Sequence, residues 1–129
     1  MTCNPDPQAA NDVHAQARRE ERARGRLLSR ADGRISEQPW RPASVPPSAV
    51  DLTQFALWQS MDAEPSELVD ALALVPAVRA EVEGIETGLL FAARSAGLTW
   101  AQIASAMGFK SPQACQQHFT RLAERQDAP

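Results

Sequence analysis

Five side chains near the end of this chain, Gln113, Gln116, Gln117, Thr120 and Arg121, carry the amide, hydroxyl and guanidinium groups that can pair with nucleobase edges. Glutamine can hold adenine through two hydrogen bonds and arginine can do the same for guanine, so the set has the chemistry to read a duplex groove. At about 100° per residue, Gln113, Gln117 and Thr120 share one side of a helix, with Gln116 and Arg121 flanking it. Arg94, Lys110, Ser111 and Arg125 lie near them in sequence and suit phosphate oxygens, three by charge and the serine by its hydroxyl. Exposed amides are equally the dress of a solvated helix face. The elements that carry them decide between the two readings.

Those elements are marked by local chemistry. Thr99 can accept from the amide three residues on while Gln102 reaches back to the amide of Thr99, a reciprocal cap that starts a helix abruptly. Trp100, Ile103, Ala104 and Met107 then recur at i, i+3, i+4 and i+7, one apolar stripe that needs a partner, with Ala104 expected at the helix crossing. Gly108 can take the left-handed conformation that ends the helix, and Phe109 supplies the apolar contact that closes such a cap. Ser111 as N-cap and Pro112 at the first helical position start a second helix. On it Cys115, Phe119 and Leu122 form the packing side, with His118 at its edge. The amides are left facing outward, as a reading helix over 112–125 requires.

The stretch GLLFAARSAGLTWAQIASAMGFKSPQACQQHFTRL, residues 88–122, resembles the helix-turn-helix segment of small DNA-binding proteins of actinobacterial type. There a Trp-x-x-Ile-Ala pattern precedes glycine, a short turn, Gln-Ala and an aromatic. The resemblance implies a trihelical DNA-binding unit with a regulatory role. Two departures stand out: Gly-Phe-Lys-Ser makes the turn about one residue longer than the commonest spacing, and His118 stands where many relatives carry arginine.

The first helix of that unit is predicted just upstream. Val78, Val82, Ile85, Leu89, Ala92 and Ala96 are spaced 4, 3, 4, 3 and 4, a continuous stripe expected to form the buried scaffold face and to end at Gly97. Gly84 and Gly88 sit inside it, each costing about 1 kcal/mol relative to alanine. That cost suggests a backbone approaching closely, either residues 51–75 or, as the sharper alternative, a second copy in a homodimer. The same spacing serves membrane helices, but Glu81, Glu83 and Glu86 exclude a bilayer span. Leu52, Phe55, Trp58 and Met61 form a further stripe, and Leu68, Val69 and Leu72 another on a short helix from about Pro65 to Leu74; both are expected in the core.

The first fifty residues read as an arginine-containing tail and proline-rich linker, largely disordered or partly helical. Residues 18–34 hold seven arginines and three acids, which fits either a basic arm on a DNA backbone or a solvated helix. PWRPASVPP, with four prolines, favours an extended connector, and its Trp40 can dock on the core or serve a protein partner. The domain proper is expected over 51–125, with the helix-turn-helix at 99–125.

Composition supports an all-α fold: no stretch alternates apolar and polar residues between turn signals, and tyrosine is absent. The formal net charge of −3 hides a segregation. Residues 1–50 carry eight arginines and six acids, 51–93 one arginine and eight acids, and 94–129 four bases and two acids. Acid is thus concentrated away from the candidate reading helix, and a duplex responds to the local field. No apolar run is long enough to cross a membrane, and the first twelve residues lack a secretion signal's apolar centre. A cytoplasmic, nucleoid-associated protein is expected. The two cysteines, Cys3 and Cys115, and two histidines, His14 and His118, make no zinc spacing. Neither metal, cofactor nor catalytic constellation is expected, so the chain reads as a non-enzyme.

The leading expectation is therefore a sequence-specific transcriptional regulator of double-stranded DNA. Two alternatives stand beside it: a module contacting RNA polymerase, a sigma factor or another regulator through its acidic lobe or Trp40, and a nucleoid-type binder with little sequence preference.

Overall fold

Asp6 opens the chain's first helix by accepting the Gln8 amide at 3.0 Å, and Pro7 takes the first helical position, where its missing N–H costs nothing. The helix, α1, runs Pro7–Ala31 and ends where Asp32 enters the left-handed region at φ 41°. The computed structural model describes residues 6–127, apart from the side chain of Asp127. It is all-α over them: α2 spans Ala49–Trp58, followed by a 3-10 turn at Ser60–Asp62, then α3 Pro65–Ala73, α4 Val75–Ser95, α5 Trp100–Met107 and α6 Pro112–Asp127. No β-strand occurs among the described residues, only an isolated bridge between Gln38 and Arg41. No helix there is long and apolar enough to cross a membrane. Cys3 lies outside the described residues.

The chain divides into two compact units, Met1–Arg79 and Ala80–Pro129, so the boundary falls inside α4 and not near residue 50. In the first unit α1, α2 and α3 pack on one another around Ala23, Leu27, Leu52, Ala56 and Leu74. The N-terminal segment is thus a 25-residue helix with a buried side, where the sequence suggests a largely disordered tail. Its core face is Ala23, Leu27 and Ala31, spaced by four; two alanines make a weak apolar signal, yet they allow close helix approach.

Ion pairs complete that docking. Arg26 Nη1 lies 2.9 Å from the buried Asp70 carboxylate, Arg30 pairs with Glu67, and the Arg34 guanidinium sits 4.9 Å from the centre of the Phe55 ring. Three of the seven arginines in residues 18–34 are therefore spent on their own unit. Buried Arg41 ties the proline-rich connector down: it donates to the Ser36 carbonyl, and its Nε lies 3.0 Å from Asp51 Oδ2. That second contact lacks hydrogen-bond alignment and is ionic. Asp51 in turn closes the capping box that starts α2 with Ser48.

Several expected core stripes face solvent. Leu52 and Phe55 of α2 are buried, but Trp58 and Met61 are exposed: steps of three residues drift round the helix and carry Trp58 off the face of Ala49, Leu52 and Ala56, and the 3-10 segment breaks the period before Met61. On α3, Leu68, Val69 and Leu72 are exposed, while Asp70 and, just beyond the helix, Leu74 are buried. The Arg26 and Arg30 pairs with Asp70 and Glu67 turn the mixed face of α3 toward α1. Trp40 is exposed as well.

The second unit gathers α4, α5 and α6 around Leu90, Ile103, Ala104, Cys115 and Leu122, with Ala93, Trp100, Phe109 and Phe119 packed against them. The residue α4 buries is Leu90, about 100° round the helix from the expected stripe. Val82, Ile85 and Leu89 are exposed, and no backbone makes the close approach expected at Gly84 and Gly88: a Cβ at Gly84 would meet only the Gln126 side chain, at 3.8 Å, and one at Gly88 nothing within 4 Å. The physical reason lies beside Leu90, where Glu83 and Glu86 face basic groups on α6 and fix the helix's rotation by polar contacts.

If α1 is a docked core element, Leu27→Ala should lower unfolding free energy by about 2–5 kcal/mol in denaturant titration. Val13→Ala, on the exposed part of the same helix, should change it by less than about 0.5 kcal/mol. Equal, small effects at both positions would contradict the packing of this helix.

Candidate nucleic-acid interface

The α5–α6 pair is held by the caps that its sequence specifies. Gln102 N donates to Thr99 Oγ1 at 3.1 Å and Thr99 N donates to Gln102 Oε1 at 2.8 Å, closing the capping box. Gly108 ends α5 at φ 82°, and the Phe109 amide reaches back to the Ala104 carbonyl at 2.9 Å. Ser111 Oγ accepts the Ala114 amide at 3.1 Å, so the second helix starts at Pro112. Residues 108–111 are the whole connection, and its geometry fixes how α6 leaves α5.

Packing then sorts the sides of α6. Cys115 and Leu122 are fully buried, and Phe119 lies against Trp100 with ring centres 5.8 Å apart. His118 sits at the border, as its position in the stripe suggests: Nε2 is 2.7 Å from Glu86 Oε1, and the imidazole lies 5.1 Å from the Phe109 ring centre. Burial, with a smaller push from the Glu86 carboxylate, raises the Cys115 thiol above its ordinary pKa. It behaves as a small neutral hydrophobe.

Gln113, Gln116, Gln117, Thr120 and Arg121 are all exposed and line one shallow depression along α6. Glu124 joins them; one helical turn beyond Thr120, it adds an acid to the face that the sequence reading left out. The Thr120 hydroxyl donates to the Gln116 carbonyl at 3.0 Å, which leaves the glutamine amides, the Arg121 guanidinium and the Glu124 carboxylate as the outward polar groups.

The four candidate phosphate residues fare differently. Lys110 is exposed in the turn. Ser111 commits its hydroxyl to the cap. Arg94 donates to the Leu98 carbonyl at 2.9 Å and lies 5.0 Å from the Trp100 ring centre, bracing the end of α4. Arg125 is 3.2 Å from Glu83. Both polar contacts from α6 to α4 join residues more than thirty apart, so no short-range spacing in the sequence announces them.

Trp100, Ile103 and Ala104 occupy the expected core, but Met107 is 41% exposed and leaves it. Phe109, folded back by the cap, packs against the core at the end of α5 in its place. No group of three or more histidine, cysteine or acidic side chains that could hold a metal occurs among the described residues. Comparison with known proteins finds no counterpart, since no family model, curated protein or solved structure matches the chain.

The raised Cys115 pKa has a linked consequence. Because the folded value lies above the unfolded one, the contribution to stability is present below the unfolded pKa and is lost as pH rises through the folded value. In a Cys3→Ser chain at about pH 8, iodoacetamide should leave native Cys115 unmodified and alkylate it once denaturant unfolds the protein. Comparable rates in the two states would show that the thiol is not enclosed.

Proposed function

We propose that this protein binds double-stranded DNA as a sequence-specific transcriptional regulator. In this reading α4, α5 and α6 act as a trihelical helix-turn-helix unit, and α6 reads the major groove. One observation carries the reading: α6 is two-sided. Cys115 and Leu122 are locked in the core while Gln113, Gln116, Gln117 and Arg121 stand exposed along the opposite flank. Amide and guanidinium groups are those that discriminate adenine and guanine in the major groove. Glu83 and Glu86 are held by Arg125 and His118 away from that flank, which leaves Glu124 as the acid a phosphate backbone would meet along it. Lys110 and Arg121 are the bases best placed for phosphate, so intrinsic affinity is modest. The role belongs on the nucleoid, in the cytoplasm, and calls for no catalysis.

Exposed Trp40, Trp58 and Met61 favour a second reading, a protein-contact role toward RNA polymerase or a sigma factor through the first unit. The two readings differ in their response to salt. For DNA binding, log affinity should fall linearly with log salt, whereas a protein-contact module gives no saturable duplex binding even at low salt.

Selection of bound duplexes from a random pool should return a preferred sequence. Against it, Gln113→Ala or Gln117→Ala should relax preference at one base pair by about 1–3 kcal/mol. Lys110→Ala and Arg121→Ala should weaken binding to preferred and unrelated duplexes, and Lys110→Ala should flatten the salt slope by about one. A pool that returns no preference would leave only a low-specificity, nucleoid-type binder. Glutamine variants with unchanged preference would remove α6 as the reader.

A further inference from the structure

We infer that two copies of this chain pair through α4, antiparallel, along the stripe Val78, Val82, Ile85, Leu89 and Ala92, which Ala96 continues just past the helix end. The starting observation is exposure where burial is expected: Val82 is 52%, Ile85 60% and Leu89 66% exposed. Their spacing is that of a coiled-coil seam, which buries its apolar residues only against a second helix. Gly88 borders the stripe and faces open space, so its cost to the helix is offset by nothing within the chain.

The identity of the occupant follows from the order of the residues. The spacing 4, 3, 4, 3, 4 reads the same in both directions, so an antiparallel copy of α4 meets itself in register about residue 87. Ile85 then faces Leu89 of the second copy, Val82 faces Ala92, and Val78 faces Ala96. Each large side chain at one end meets a small one, which keeps the helix axes evenly separated. A parallel pair would set valine on valine at one end and alanine on alanine at the other, leaving a gap. The antiparallel arrangement is a two-fold, isologous interface.

Charge and size agree. Glu83 and Glu86 are turned toward Arg125 and His118, off the seam, so two of the three acids in this stretch do not face their counterparts. The three exposed side chains alone present roughly 300 Å² of apolar surface per copy, a sizeable patch for a monomer. With half-buried Val78 and the two alanines added, the two copies bury less than the roughly 1,200 Å² of a standard interface, the range of a weak dimer that dissociates on dilution. The second unit has a small core of its own, and a domain of this length commonly gains its remaining stability by association.

This inference does not depend on DNA binding, and its test uses the full chain without DNA. Sedimentation equilibrium should give twice the 14.0 kDa chain mass, with dissociation on dilution. Ile85→Glu should raise the dimer dissociation constant by roughly tenfold or more, because it places a charge in the seam. Its helical circular dichroism should be unchanged, since Ile85 touches no core in the single chain. Orientation is read separately in a Cys3→Ser background: Val82→Cys and Ala92→Cys chains should form a mixed disulfide when combined and little when oxidised alone. A mass of 14.0 kDa at all concentrations, or a dimer indifferent to Ile85→Glu, overturns the proposal, and efficient self-crosslinking of each single variant overturns its orientation.

Discussion

The second unit depends on how closely α5 and α6 can approach, and that is set by two small buried side chains, Ala104 and Cys115. A larger residue at either position would push the helices apart and rotate α6 about its axis. The cap at Gly108 and the Phe109 amide on the Ala104 carbonyl hold the turn against that packing, so one contact and one turn fix the orientation of the whole helix. Everything exposed on α6 is exposed because Cys115 and Leu122 are inside. Core packing therefore creates the candidate interface.

Polar contacts play a different part. In the first unit Arg26 on Asp70 and Arg30 on Glu67 choose which face of α3 meets α1. In the second, Arg125 on Glu83 and His118 on Glu86 choose which face of α4 meets α6. Partly exposed pairs of this kind add little net stability. Their effect is on rotation, since a helix with apolar residues on more than one side can dock in several ways, and a matched polar contact favours one of them. The result in both units is the same: apolar side chains that would suit a core are left at the surface, on α3 and on α4.

Legibility in the sequence follows the range of the interactions. The capping box of Thr99 and Gln102, the left-handed Gly108 and the Ser111 cap are decided within four residues, and all of them are present as the residue types suggest. The outward set Gln113, Gln116, Gln117, Thr120 and Arg121 was readable because three apolar residues on one short helix define its opposite side. Leu90 in place of Leu89 was not readable. Both are leucines on one helix, and what separates them is the position of bases on α6, some thirty to forty residues further along.

By itself, then, the sequence determined an all-helical chain, the start and stop of α5, the start of α6, and the exposed amide face, because caps and helical periodicity act over a few residues. The end of α6 lies two residues past the expected 125. Tertiary structure alone decided that α1 is a core helix and not a tail, that Met107, Trp58 and Met61 lie outside the core, and that α4 docks by Leu90 and leaves Val82, Ile85 and Leu89 bare. Each of those outcomes turns on a contact between distant segments. A helix carrying two apolar faces cannot announce which of them will find a partner.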